Sequence, residues 1–495
     1  MSKKRAIFPQ VFREYWIDVA AKLRDKYGWD ICYFVGSGKL NEKISKLFPR
    51  AIFHTKKALI KNLVPEGCEA VAPSPLDKKL LKALFPYESI FLKMMDRYSY
   101  DGRLTYQKRI APYHFLLTYW KGALEHFKPD IVVYAEAPHL GYDYILYAVS
   151  RMMNIPTVMF ERTSLPGFVI PTSSFEDGSQ VIRKKYNSEL KKCKNQEIAL
   201  SPQIAACMEP LLQPYGQAMP FHQKYKLNYF KNRGDIGSSI PLLLRAASNL
   251  LIGYLIKKGS PHYLQKTYYK NIGHLKKKKL LAHYRKLANP VDLEVPYVFA
   301  ALQCEPERQS GTLGGVFIHQ NLMIDLLSKA IPQGWKIYVK EHPFQFKASQ
   351  MAERSKTFEF YDQIASLPKV ELVPMTYTSF DLIDCAQATT TVSGTVGWES
   401  VVRGTPTLLF GHSWYNDCKG VFVTRTVEEC KEAIRRIENG YKVNPDEVKC
   451  FARVVEMCSV RGYIDKIYSE MGVVTPEKNV ENLAAAIDKF LPNVH

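Results

Sequence analysis

Two short strings in the second half of the chain have the residue types and spacing to hold a phosphate. Lys340-Glu341-His342-Pro343 closes the run WKIYVK. Side chains alternate along a strand, so Lys340 and His342 share a face there, and Pro343 ends the ladder. An ammonium and an imidazole then stand together at the carboxyl edge of a strand. The other string is Ser393-Gly394-Thr395-Val396-Gly397-Trp398-Glu399, which follows the strand-like Ala388 to Val392 and opens a helix. Free N–H groups and the positive end of the helix dipole make such a turn an anion site. Ser393 and Thr395 add hydroxyl donors, Gly394 and Gly397 let the backbone approach a ligand, and Glu399 is placed to accept from ribose hydroxyls. The competing role is a plain helix cap, with Glu399 complementing the dipole. A loop from Glu305 to Gly315 adds Arg308 as a partner for phosphate or carboxylate.

Proton acceptors stand in the first half. Glu161 opens Glu161-Arg162-Thr163-Ser164-Leu165-Pro166-Gly167, the expected loop after a strand Pro156 to Phe160. Asp177 lies within FEDGS, and His139 follows the apolar DIVVYA together with Glu136. A general base must lie within hydrogen-bond reach of the proton it removes. Glu161 is the first candidate, Asp177 the second and His139 the third. No Asp-x-Asp string offers itself to a divalent ion, and Asp381 and Asp384 fall on one helix.

The elements that must position these residues follow one grammar. Glu14 to Tyr27 has helical period, Asp30 to Val35 and Asp130 to Ala135 are apolar strands, and Tyr142 to Met153 is a helix. After a basic interval the pattern restarts, with strands at Tyr297–Leu302, Lys336–Lys340, Val370–Val373, Ala388–Val392 and Pro406–Phe410 and helices at Asn321–Ala330 and Ser379–Cys385. Continuous apolar strands separated by helices mark parallel sheets covered on both faces. With 495 residues, 46% apolar and 23% charged, two domains are expected. The expected division is 1–215 as a first Rossmann-like domain for the acceptor, 216–290 as a basic helical insertion, and 291–450 as a second Rossmann-like domain for a nucleotide. Residues 451–495 form terminal helices crossing back to the first domain. Ligands of open parallel sheets sit outside the carboxyl ends of the strands, where the candidate residues fall.

Charge is concentrated in the insertion. Between His222 and Ala288 stand fifteen Lys or Arg and the single acid Asp235, against a net charge of +20 for the whole chain. The 17-residue apolar run Ile240–Ile256 is interrupted by Arg245 and Asn249, too short and too broken to favour a span. An interfacial helix, with its lysines on the phosphates of an anionic membrane, is the preferred reading. A basic inter-domain hairpin is the alternative, and no nucleic-acid motif accompanies the charge. The N-terminal Lys3-Lys4-Arg5 precedes an apolar stretch too short for a signal peptide, so a cytoplasmic protein is expected. Ten cysteines without metal spacing read as reduced thiols.

The second-half motifs VKEHP, VELVP and TTTVSGTVGWESVVRGTPTLLFGHSWY resemble the capsular-polysaccharide biosynthesis family, which includes the bacterial Kdo transferases. The likeness to the bacterial sialyltransferases is looser. The resemblance covers roughly Pro296 to Tyr415. It implies the GT-B type of fold, two Rossmann-like domains facing a cleft. It also implies an inverting glycosyltransferase using a nucleotide-linked, CMP-type donor of Kdo or another nonulosonic-type acid. The acceptor would be a surface polysaccharide or glycolipid, with the enzyme peripheral on the inner face of the cell membrane. His342, Ser393 and Thr395 would hold the donor phosphate, with neither metal nor cofactor. The family's Glu/Asp-Asp-Gly base loop is ERTSLPG here, with FEDGS about fifteen residues later, which leaves Glu161 and Asp177 both open as the base. Alternatives are a CDP-glycerol-type phosphotransferase and a non-catalytic assembly subunit.

Overall fold

A computed structural model of the chain describes residues 3–69, 71–99, 104–192, 198–215, 261–306, 311–346 and 354–491. Arg308 and most of the basic insertion (216–260) lie outside the described residues.

Two sheets organise the molecule. The first has seven strands, β1 (Arg5–Val11), β2 (Asp30–Gly36), β3 (Ile52–Thr55), β4 (Ile131–Tyr134), β5 (Thr157–Arg162), β6 (Phe168–Thr172) and, from the far end of the chain, β13 (Val460–Arg461). Their order is β13-β6-β5-β4-β1-β2-β3. The second has six, β7 (Tyr297–Ala301), β8 (Lys336–Lys340), β9 (Val370–Leu372), β10 (Ala388–Thr391), β11 (Thr407–Leu409) and β12 (Val421–Val423), in the order β12-β11-β10-β7-β8-β9. Every pairing in the second sheet is parallel. In the first sheet only β5–β6 and β6–β13 run antiparallel. Buried strands and helices on both faces follow from the apolar runs: β4 and β10 are buried at every position. The architecture is the two-domain α/β arrangement of GT-B type.

Three features depart from the sequence reading or add to it. β1 is central, yet Pro9 and Gln10 disguise it, since proline cannot donate to a ladder. The register with β2 slips between Phe8 and Val11, which takes Pro9 and Gln10 out of the pairing. Gln10 turns inward and donates to Asp143 at 2.7 Å. Second, ERTSLPG is not a loop leaving a strand. β5 continues through Arg162 and returns as β6, with Glu161 opposite Ile170 and Arg162 opposite Val169. Thr163 Oγ1 donates across the turn to the carbonyls of Leu165 and Phe168, both at 2.9 Å, and Gly167 takes φ +87, a value that favours glycine.

Third, the end of the chain closes the first domain. β13 pairs with β6, Val460 opposite Val169, and the helix Pro476–Phe490 packs on the helix Glu14–Tyr27. Asp488 accepts from Trp29 Nε1 at 2.9 Å. The helix Pro261–Leu287 belongs by packing to the second domain, where Leu280 and Tyr284 join the core under β7 and β8. Of the four consecutive lysines on it, Lys277 is buried while Lys276, Lys278 and Lys279 are exposed. Among the described residues, no helix is long and apolar enough to cross a membrane. The nine described cysteines are free thiols.

Candidate functional site

The carboxyl edge of the second sheet is held by buried polar groups that the motifs did not reveal. Glu341 is completely buried, as is Lys356, and their charges meet at 2.7 Å. Tyr361 donates to the same carboxylate oxygen at 2.6 Å. The other oxygen accepts the His342 amide at 2.7 Å, and Tyr284 OH accepts the Glu341 amide at 3.0 Å. His342, half-buried, accepts the Phe344 amide on Nδ1 at 3.1 Å. A backbone N–H can only donate, so the neutral imidazole carries its proton on Nε2.

Lys340 does not join His342 as expected. The helix Ser379–Asp384 closes over it, and its ammonium donates to Tyr377 O at 2.9 Å and Ser379 Oγ at 3.1 Å. Burial pushes it down to about 8, against the opposing pull of Glu399 and Asp381. The tertiary cover decided its partner.

The Ser393 turn is clamped from behind by Gln303. Its Oε1 accepts the Ser393 amide and its Nε2 donates to Ser393 Oγ, both at 3.3 Å. Gln303 is fixed by Gln320, which accepts its amide at 2.7 Å and donates to its carbonyl at 3.0 Å. Lys356 donates to the same carbonyl at 3.1 Å. One lysine therefore ties the His-Pro loop to the Ser393 turn. Sequence reasoning missed Gln303, Gln320 and Lys356, because lone amides and a lone lysine carry no motif.

Within the turn, the glycines answer to protein packing rather than to a ligand. A Cβ on Gly397 would lie 2.5 Å from Tyr415 OH, and one on Gly394 would lie 2.8 Å from Thr391 Oγ1. Tyr415 OH donates to Gly394 O. The N-cap position of the helix Thr395–Val402 is Gly394, which has no side chain to cap with. Thr395 donates to Glu399 Oε1 at 3.1 Å. Glu399 is buried beneath the turn, one helical turn after Thr395, and so is not offered to a ribose. Burial pushes its carboxyl up to about 7, despite Thr395 and the cations Lys340 and Arg403.

Two cavities lie between the domains. One, of about 320 Å³, is polar: Ser393, Thr395 and Ser413 come from the second domain, and Arg162, Thr163 and Ser164 from the first. The other, of about 380 Å³, has Glu161 among apolar walls that include Met159, Phe160, Phe175 and Leu313. Arg162, Ser413 and Trp414 line both. His342 lies outside both linings.

Of the three proposed proton acceptors, Glu161 is the one at this junction. Asp177 is exposed on the surface, with Arg151 at 3.8 Å. The inward-facing acid of FEDGS is its neighbour Glu176, which accepts from Tyr147 at 2.5 Å and Ser174 at 2.7 Å and is pushed up by burial. His139 is occupied with the loop after β4. Its Nδ1 is 3.1 Å from Ala137 O and its Nε2 is 3.6 Å from Glu136. Arg162 carries no signal of its own within ERTSLPG, since a lone arginine beside an acid reads as a surface pair.

Residues 246–444, which carry the His-Pro loop and the Ser393 turn, match the model of the family described as capsule polysaccharide biosynthesis protein. That stretch of the chain is related to that family. No curated protein matches it. Among solved structures, Thermosulfurimonas dismutans KpsC, beta Kdo 2,7 transferase, is similar at 8% identity and TM-score 0.30, over 97% of this chain and 99% of that one. The beta Kdo 2,4 transferase of the same KpsC is similar at 13% identity and TM-score 0.26, over 66% of this chain and 79% of that one. UDP-GlcNAc 2-epimerase from Methanocaldococcus jannaschii is similar at 14% identity and TM-score 0.24, over 92% and 99%. Scores this low leave the fold resting on the two sheets and their order.

Proposed function

We propose that the chain is an inverting glycosyltransferase of capsule or related surface-polysaccharide synthesis, transferring a sugar from a nucleotide-linked donor. Support comes from one observation above all: a cavity holding a carboxylate on the first domain meets a polar cavity at the Ser393 turn of the second. Glu161 takes the proton of the acceptor hydroxyl as that oxygen attacks the anomeric carbon. The bond from that carbon to the donor phosphate breaks, and its electron pair leaves on the phosphate oxygen. Ser393, Thr395 and the amino end of the Thr395–Val402 helix face the resulting charge, where pre-oriented donors act most strongly on a transition state. The proposed donor is CMP-linked Kdo or another nonulosonic-type acid, and no cofactor takes part.

A thermal-shift series with CMP, CDP, UDP and GDP tests the donor. The matching nucleotide at 100 times its dissociation constant stabilises by about 2.7 kcal/mol, with CMP expected to stand out. If all four leave the melting temperature unmoved, the nucleotide-donor reading falls. Phosphate carried into the product, with CMP released from CDP-glycerol, would replace sugar transfer by phosphotransfer.

We propose that the protein docks on an anionic membrane surface through the basic segment His222 to Ala288, which includes the exposed Lys276, Lys278 and Lys279. Flotation with anionic vesicles is expected at low salt and is expected to weaken as salt is added, since each lysine near such a surface contributes about 1 kcal/mol that salt screens. Wild-type protein left at the bottom of a low-salt gradient would refute membrane binding.

A further inference from the structure

Arg162 brings a fixed positive charge from the first domain to the point where the two cavities meet. Its position is set from far along the chain. Asp465 divides its carboxylate: Oδ1 caps the helix Lys466–Glu470 by accepting the Tyr468 amide at 2.9 Å, and Oδ2 accepts from Arg162 Nη1 at 3.1 Å. Tyr468 lies over the guanidinium at 5.6 Å, and its hydroxyl donates to Thr163 O at 2.9 Å. Ring, carboxylate and strand thus fix the plane of the guanidinium. Among the described residues its Nε and Nη2 make no hydrogen bond, so donors remain on a group whose fork geometry suits oxyanions. The surrounding hydroxyls of Ser164, Ser393, Thr395 and Ser413 suit an oxyanion too.

We propose that Arg162 binds the phosphate of the nucleotide in the polar cavity, reaching it from the opposite domain, with Asp465 as its positioning residue. The inference rests on reading that cavity as the leaving-group site. It makes the anion site complete only when the second domain, the β5–β6 hairpin and the C-terminal segment are together.

The test compares CMP with cytidine by titration calorimetry, because the two differ only in the phosphate. Wild type is expected to bind CMP more tightly than cytidine. Arg162→Gln is expected to reduce that preference by about 10- to 100-fold, the usual weight of hydrogen bonds to a charged group, with cytidine affinity unchanged. Arg162→Lys keeps the charge but not the fork and is expected to fall between. Asp465→Asn is also expected to lower the preference, a change that mere loss of stability would not confine to the phosphate-bearing ligand. An unaltered preference in a folded Arg162→Gln protein overturns the proposal. If wild type binds neither CMP nor cytidine, the nucleotide reading fails, and pyrophosphate then decides on Arg162. Binding by wild type that Arg162→Gln abolishes keeps the anion site, and equal binding or none removes it.

Discussion

Glu161→Gln is expected to lower turnover by about 10²–10⁴-fold, the usual contribution of a positioned general base, with nucleotide affinity nearly unchanged. Gln preserves the volume and the pairing of β5 with β6, in which residue 161 faces Ile170. What it removes is the ability to accept a proton. The hydroxyls of Ser393 and Thr395, proposed to hold the phosphate, line the polar cavity and not the one that holds Glu161, so the substitution is expected to separate turnover from donor binding. Asp177→Asn supplies the contrast. Asp177 sits on the surface beside Arg151, and its amide is expected to leave turnover within a few-fold of wild type. Full activity in Glu161→Gln, with loss in Asp177→Asn, would transfer the role to Asp177 and require the FEDGS loop to move inward. Initial rates and calorimetric nucleotide binding on both variants decide between these outcomes.

The largest effect on stability is expected at Lys356, a residue without a place in any motif. Lys356→Met leaves Glu341 completely buried without its cation. Removing one partner of a buried pair costs about 3–5 kcal/mol, because the remaining charge stays desolvated. The Gln303 carbonyl loses a donor as well. Urea unfolding is the measurement. The double variant Glu341→Gln, Lys356→Met is expected to recover a large part of the loss, since no net charge is then left inside. If Lys356→Met unfolds at the wild-type denaturant midpoint, the pair does not hold the two loops in solution.

Five of the six strands of the second sheet are legible, β8 end to end, because parallel strands buried on both faces read as continuous runs; the edge strand β12, three residues long and only partly buried, is not. The first sheet is less so. Pro9 and Gln10 hid its central strand, although a register slip lets both be accommodated. The polar Arg162-Thr163-Ser164 imitated a loop, although Thr163 bonds internally across a tight turn. At the site, the residue types of the Ser393 turn were readable and their partners were not. Lys340 sits under a helix contributed by residues nearly forty positions later, and Glu399 lies on the far side of its own turn. The setting of Arg162 depends on Asp465, 303 residues further on, a separation no local pattern can encode. The neutral amides Gln303 and Gln320 matter only by where they are placed.

The return of the chain to β6 gives the molecule a spatial order different from its genetic order. The last segment, from Val460 onward, is structurally part of the amino-terminal domain: it supplies the edge strand that covers β6 and the helix that covers Glu14–Tyr27. Translation therefore delivers the first domain in two instalments, separated by the whole of the second. Until the helix Pro476–Phe490 leaves the ribosome, that domain presents an unpaired strand edge and an apolar helix face. Its closure comes after the second domain is made rather than before it, and a premature stop ahead of Val460 injures the amino-terminal domain.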